Sequence, residues 1–230
     1  MTKVKARQLR KELRRVLAES DRNTALAFSK QYSLEQLTGP IFSQFYDPSD
    51  LVKFRSVALL GAVSARTAPD STERVRILMR KLLWYLNDES GGIGWGAPEA
   101  MGEVMMNCEQ MGLEFGSILV SYLDPEGNFL EHDSLQRGVL WGIGTLVEKV
   151  VPYYPDLLLR LITPYLGSED AVKRGFAARA VLNMGVDPDS VPLDILESDG
   201  SVIDIFNGWH FRRTSIARMM IDRKEKENEY

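Results

Sequence analysis

Apolar residues recur at helical spacing along most of the chain, and prolines separate the apolar stretches. This pattern predicts a largely helical protein built from helix pairs. The first helices of four pairs are predicted at Ser33 to Phe45, Ser71 to Leu86, Leu113 to Leu123 and Pro155 to Leu166. Three second helices are predicted to begin near a residue whose side-chain oxygen can cap free backbone N–H groups, at Asp50, Ser134 and Asp170.

Four segments of the chain can be aligned with one another, each within the second helix of a predicted pair. They are Phe54 to Gly61, Ala97 to Val104, Gln136 to Ile143 and Lys173 to Ala180. Their second positions hold Arg55, Pro98, Arg137 and Arg174, which gives steps of 43, 39 and 37 residues. Alanine, glycine and serine recur in these segments, as stacked helices require small side chains where they approach closely.

The spacing and composition of the aligned segments resemble HEAT repeats, whose units are roughly 40 to 47 residues long. The resemblance covers about residues 47 to 185. It implies an all-α fold of the α-α superhelix type, an armadillo-like solenoid. We therefore expect one solenoid over residues 1–230, with N-terminal capping helices in 1–32, about four helix pairs in 33–185 and a divergent C-terminal cap in 186–230.

The C-terminal cap departs from the helical pattern between residues 200 and 213. Alternating apolar residues flank Asn207-Gly208, the strongest short signal for a hairpin. We predict a small β-hairpin in this stretch. The alternative is a fifth repeat, because Arg212 lies 38 residues after Arg174 and a helix would then start near Trp209.

Composition narrows the class of protein without naming an activity. The formal net charge of −4 provides no overall attraction to nucleic acid or anionic membranes. One cysteine, Cys108, excludes an internal disulfide framework, and no apolar run is long enough for a membrane span. These features predict a cytoplasmic protein that does not associate with a membrane. The basic stretch Lys3 to Glu19 carries an apolar helical stripe, so it is predicted to cap the solenoid.

A glycine-rich segment at residues 88 to 103 is the most distinctive part of the chain. Glycine at 91, 92, 94 and 96 surrounds Trp95, and Pro98 with Glu99 indicates a helix N-terminus immediately afterwards. It lacks the Gly-Lys-Ser/Thr ending of a phosphate loop. Two interpretations remain open, a binding loop and a tight turn seated by Trp95.

Residues 91 to 103 also resemble a signature of an uncharacterised family of bacterial HEAT-repeat proteins, Gly-Gly-Ile-Gly-Trp-Gly-x-Pro-Glu-Ala-Met-Gly-Glu. That resemblance implies a fold and no activity. Iron-dependent hydroxylases of this architecture need paired His-Glu ligands in several repeats, whereas this chain has only His132 and His210. The sequence therefore indicates no catalytic residues, no metal site and no cofactor.

Charged residues recur at the repeat positions. Arg55, Arg137 and Arg174 are predicted to form a structural ladder of ion pairs with Asp50, Asp133 and Asp170. The second repeat instead brings Glu99 and Glu103, one turn apart on one helical face. These two carboxylates predict either a site for a cationic or polar ligand or a solvated helix face.

Three functions are compatible with these features. The first is a non-enzymatic scaffold or regulatory protein that binds a protein partner through a concave helical face and the loop at residues 91–96. The second is a small-molecule or cofactor-handling protein, with a pocket at residues 88–103 and Trp141 nearby. The third is a glycosylase-like nucleic-acid binder, which the net charge disfavours. The candidate binding residues are Gly91, Gly92, Gly94, Trp95, Gly96, Glu99, Glu103 and Trp141.

Overall fold

A computed structural model describes residues 3–87, 94–147, 155–185 and 191–227. Within these ranges the chain is helical apart from one two-stranded antiparallel sheet, so the predicted all-α class with a small C-terminal hairpin is confirmed. The elements are α1 (Lys3–Glu19), α2 (Arg22–Ser29), α3 (Leu34–Gln44), α4 (Asp50–Thr67), α5 (Thr72–Leu86), α6 (Ala97–Asn107), α7 (Glu109–Ser121), α8 (Asp133–Leu146), α9 (Pro155–Leu166), α10 (Ala171–Met184), β1 (Val202–Phe206), β2 (Phe211–Ser215) and α11 (Ile216–Glu227). None of the described helices combines the length and apolarity that a membrane crossing requires.

The predicted helix starts agree with the structure to within one residue, except that α7 begins at Glu109 and not at the predicted Leu113. Asp170 caps α10 by accepting from the backbone N–H groups of Val172 and Lys173. The other two caps were predicted wrongly. Ser49 caps α4 in place of Asp50, and His132 caps α8 in place of Ser134, through its Nδ1 atom. An imidazole nitrogen accepts an N–H as a carboxylate oxygen does, which the residue preferences at helix starts do not anticipate.

Four helices form the centre of the molecule in the order α4, α6, α8, α10, each packed on the next. Helices α3, α5, α7 and α9 each pack against the central helix that follows them in the chain. This contact order is the one expected for four stacked pairs, while the assignment to HEAT repeats stays a prediction. The pairing matters for the site because it places the N-terminal ends of the central helices next to one another.

Glycines permit the closest approach in this stack, between α6 and α8. A methyl group on Gly102 would lie 2.5 Å from the Cα atom of Gly142, far inside van der Waals contact. Gly138, one turn earlier on α8, faces the Glu99 carboxylate at 2.6 Å from where a Cβ would be. The glycine positions of the aligned segments therefore have a packing role that the sequence pattern predicted.

The C-terminal hairpin packs back onto the N-terminal part of the chain. Its turn contains Gly208 at φ +90°, and Asn207 N–H donates to the His210 carbonyl at 2.9 Å. The fifth-repeat alternative, with a helix starting near Trp209, is wrong. The alternating apolar residues form two paired strands, and the turn at Asn207-Gly208 joins them. Trp209 Nε1 donates to the Ser20 carbonyl at 3.0 Å. The hairpin thus closes the stack against the segment that follows α1.

The predicted arginine ladder is confirmed for Arg137 and Arg174, which each lie within ion-pair reach of a carboxylate. Arg137 Nε lies 2.6 Å from Asp170 Oδ2, and Arg174 Nε lies 2.8 Å from Asp199 Oδ2. Each arginine therefore pairs with a carboxylate farther along the chain and not with the cap of its own helix. Asp133, another carboxylate predicted for the ladder, accepts from Lys173 and not from an arginine.

Arg55 is the exception in the ladder, since it pairs with backbone carbonyls. Its Nη1 donates to the Leu17 carbonyl at 2.7 Å, and its Nε donates to the Trp209 carbonyl at 2.9 Å. The predicted pair of Arg55 with Asp50 is wrong. The physical reason is that α1 ends here, and the free carbonyls of a helix C-terminus attract a cation. Arg55 thus joins α1, α4 and the hairpin.

The Arg174 to Asp199 pair leads to a pH-dependent expectation. The hydrogen bond from Arg174 lowers the pKa of Asp199 to about 2. Because this folded-state pKa lies below the unfolded value, the pair stabilises the protein above about pH 4, and that stabilisation is lost as the pH falls toward about 2. We expect Asp199→Asn to destabilise the protein at pH 7 by about 1 to 2 kcal/mol, and by about half as much at pH 3.

Urea unfolding at several pH values tests this expectation. The matched control is Asp156→Asn, since Asp156 is exposed in the first turn of α9 and no ion pair involves it among the described residues. An equal loss of stability for Asp199→Asn at pH 7 and pH 3 would contradict the role assigned to the pair.

Candidate functional site

A concave groove of about 730 Å³ lies where the N-terminal ends of α4, α6, α8 and α10 meet. The end of α3 forms one wall, and the hairpin forms another. Tyr46, Trp95 and Phe211 contribute aromatic surface to this groove. The volume is within the roughly 300 to 1,000 Å³ of ligand-binding clefts in proteins. We refer to this concavity as the groove.

The described part of the glycine-rich loop seats Trp95 at the wall of the groove. Gly94 has φ +61° and Gly96 has φ +74°, a backbone region that favours glycine. Side chains at these positions would also collide with the Tyr85 carbonyl and the Phe45 ring. The Trp95 ring lies edge-on against His132 with centroids 5.3 Å apart. In this part of the loop the glycines meet backbone and packing demands, and Trp95 provides the surface.

A buried ion pair forms the floor of the groove. Lys53 Nζ on α4 lies 2.9 Å from Glu99 Oε1 on α6, and both side chains are largely buried. Burial by itself lowers the pKa of Lys53, but the attraction of Glu99 and, to a smaller extent, Asp50 outweighs it and leaves the pKa above its ordinary value. Lys53 is therefore a permanent cation at neutral pH. The pair holds two neighbouring central helices together beneath the groove.

Two further carboxylates of the groove form no direct ion pair within the described residues. The remaining groove charges pair off, since Asp47 accepts from Arg14 and Arg137 pairs with Asp170. Asp50 and Asp204 are exposed, and the side chains described here form no ion pair or hydrogen bond with either carboxylate. Arg213 is opposite Asp204 in the strand register but forms no ion pair with it in those ranges. The uncompensated charge of the groove is therefore negative.

The structure separates the predicted binding residues into three groups. Trp95 and Glu99 line the groove, as predicted. Gly94 and Gly96 shape the turn behind Trp95, whereas Gly91 and Gly92 lie outside the described residues. Glu103 and Trp141 do not line the groove.

Glu103 faces Gly61 on α4 and is 7 % exposed, and Glu99 is 3 % exposed. The interpretation of these carboxylates as a solvated helix face is therefore wrong, because α6 is enclosed on both sides by α4 and α8. Trp141 is buried behind Phe54, whose ring it meets edge-on at 5.2 Å. Its predicted place at the site is wrong, since Phe54 stands between it and the groove.

Several groove residues escaped the sequence analysis. Lys53 is in an ordinary helical position, and its partner on α6 is 46 residues away in the chain. Asp204 and Phe211 belong to the hairpin, whose docking position depends on contacts with α1 and α4. The alternation of apolar and polar residues along the hairpin could have identified Asp204 as a residue on the solvent-facing side. No local signal could have placed it in the same groove as Asp50.

Comparison with known proteins assigns no function to this chain. No family model matches the chain. An uncharacterized protein of Archaeoglobus fulgidus is 25 % identical over 191 residues, which is 83 % of this chain and 97 % of that protein. The similarity extends over nearly the whole relative and most of this chain, so it is not confined to one segment. The resemblance to the bacterial HEAT-repeat family stays a prediction.

Proposed function

We propose that this protein is a non-enzymatic binding protein that holds a partner protein through a positively charged side chain inserted into the groove. The observation that carries the proposal is the pair of exposed carboxylates, Asp50 and Asp204, which line one aromatic-lined cleft and form no ion pair within the described residues. A lysine or arginine side chain supplies both the charge and the apolar stem that such a lining favours.

The rim of the groove favours a protein partner over a free small cation. Tyr46 is 48 % exposed and Val202 is 52 % exposed at the edge of the groove. A partner surface would cover these side chains, whereas a small cation would leave them in water. The negative unpaired charge of the groove argues against the glycosylase-like alternative, because nucleic acid requires a basic surface.

Selection of peptides on the purified protein tests the proposal. We expect a phage-displayed library of linear heptapeptides to yield binders enriched in lysine or arginine at one position. Asp50→Asn and Asp204→Asn should each weaken the synthetic peptide by about fivefold, since a partly exposed charge pair contributes up to about 1 kcal/mol. Fluorescence anisotropy measures the affinity, and the weakening should diminish as salt is raised.

The controls separate charge recognition from helix stability. Asp50 lies in the first turn of α4, where a negative charge also stabilises the helix, so Asp156→Asn in the first turn of α9 is the matched control. We expect Asp156→Asn to leave the affinity unchanged. Selected peptides without basic enrichment, or affinities indifferent to both groove substitutions, would overturn the proposal. If spermidine displaced every selected peptide and bound as tightly as the peptides do, the result would favour a small cation as the occupant.

A further inference from the structure

Strand β1 has an unpaired edge, which can be located from the hydrogen-bond pattern of the hairpin. Asn207 N–H donates to the His210 carbonyl, and Ile216 N–H donates to the Ser201 carbonyl at 3.1 Å. Hydrogen-bonded pairs alternate in an antiparallel ladder. Given the strand register, Ile203 and Ile205 bond to β2, whereas the backbone groups of Val202 and Asp204 point away from it.

These outward backbone groups have no partner in the part of the chain that the structure describes. No hydrogen bond there involves the N–H or the carbonyl of Val202 or Asp204, and both residues are exposed. A free strand edge of this kind is a template for another strand. Phe206, the next outward position, is buried, so the accessible edge is short.

The groove runs along this edge. Val202, Ile203 and Asp204 all line it, although consecutive side chains of a strand point to opposite faces. Three consecutive residues can border one cavity when the cavity meets the strand edge-on. The free N–H and C=O groups of β1 therefore border the same space as the carboxylates of Asp50 and Asp204.

We propose that the partner segment binds in extended conformation as an additional strand on the free edge of β1. This inference rests on the proposed function and specifies its binding mode. Backbone hydrogen bonds to Val202 and Asp204 would align the segment, and alternate side chains would point into the groove. One of these is the lysine or arginine, which lies between the two carboxylates, and the aromatic surface of Phe211 receives its apolar stem.

Charge selects this occupant over a second copy of the chain. Pairing of β1 with its own copy would bring the two Asp204 carboxylates into neighbouring positions, where like charges repel. A basic segment meets the same carboxylates with opposite charge. The edge and the groove thus favour one class of ligand, an extended basic peptide.

Backbone methylation of the selected peptide tests strand addition directly. Only alternate amides of an added strand face β1. We expect N-methylation of one alternate set of residues to weaken binding by about tenfold or more, and methylation of the other set to change it by less than about threefold. Equal effects of the two sets would overturn strand addition while the proposed function stands. A library that yields no basic peptide would overturn both.

Substitutions on the protein provide the reciprocal test. Val202→Pro removes an outward N–H at the first residue of β1, where proline fits, and keeps the ladder to β2 intact. The matched control is Arg213→Pro, which removes the outward N–H on the other edge of the hairpin. We expect about a tenfold loss of peptide affinity for Val202→Pro and little change for Arg213→Pro.

Hydrogen exchange on the unsubstituted protein decides the matter if a proline variant unfolds. Peptide binding should protect the amides of Val202 and Asp204 and leave those of Arg213 and Ser215 unchanged. Unchanged exchange at Val202 and Asp204 in the peptide complex would overturn the inference. Sedimentation that shows a dimer broken by Val202→Pro, without peptide binding, would assign the edge to a second copy instead.

Discussion

Gly102→Ala is expected to destabilise the protein by about 3 kcal/mol, at the upper end of what overpacking of a core costs. The added methyl group would lie 2.5 Å from the Cα atom of Gly142, and backbone on a neighbouring helix cannot rotate away as a side chain does. Helices α6 and α8 would have to separate, which loosens the floor of the groove. Thermal unfolding should show a melting temperature lower by roughly 6 to 12 °C for a chain of this size.

Gly116→Ala on α7 is the matched control for this substitution. A methyl group there would lie 3.6 Å from the Leu146 side chain, an ordinary contact. Because alanine is the better helix former, we expect this variant to be as stable as the natural protein or more stable by up to about 1 kcal/mol. If Gly102→Ala and Gly116→Ala were equally stable, the backbones of α6 and α8 could not approach each other closely enough at Gly102 and Gly142 to exclude a methyl group.

Separate removal of either partner of the Lys53 to Glu99 pair is expected to cost about 3 kcal/mol. Both side chains are nearly enclosed, so Lys53→Met leaves a buried carboxylate and Glu99→Gln leaves a buried ammonium group without a counter-charge. The double variant should recover much of this loss, because neither charge then remains. Urea unfolding of the four proteins in a double-mutant cycle measures the coupling.

An additive cycle, with coupling under about 0.5 kcal/mol, would contradict a direct pair. A pH series provides a second check. The raised pKa of Lys53 means that the stabilisation persists through neutral pH and is lost only as the pH rises through the folded-state pKa. Glu99→Gln should remove this alkaline dependence.

The buried pair also determines which residues can report on binding. Substitution of Glu99 changes the stability of the fold together with the charge of the groove. Asp50 and Asp204 are exposed and unpaired within the described residues, so their substitution alters the charge with little effect on packing. Loss of binding can therefore be interpreted at Asp50 and Asp204 more directly than at the glutamate that the sequence pattern emphasises.

Local patterns in the sequence determined the helices, the hairpin and the position of the distinctive loop. Apolar periodicity and helix-capping preferences act over a few residues, which is why α9 was predicted at its observed bounds and the Asn207-Gly208 turn was found. Glycine residues also indicated local structure. The positive φ angles at Gly94 and Gly96, and the close approach of α6 to the glycines of α8, limit which residue types fit at these positions.

Only the tertiary structure decided which charges meet and where the groove lies. The sequence pattern identified the arginines of the ladder but not all of their partners. Arg137 and Arg174 pair with carboxylates farther along the chain, and Arg55 pairs with backbone carbonyls. The packing of the helices sets which of these groups come within hydrogen-bond distance. Lys53 meets Glu99, and Asp204 lines the same groove as Asp50, across chain separations that no local pattern encodes. Ion pairs depend on positions in space, and those positions follow from the packing of the whole stack and from the return of the hairpin to α1.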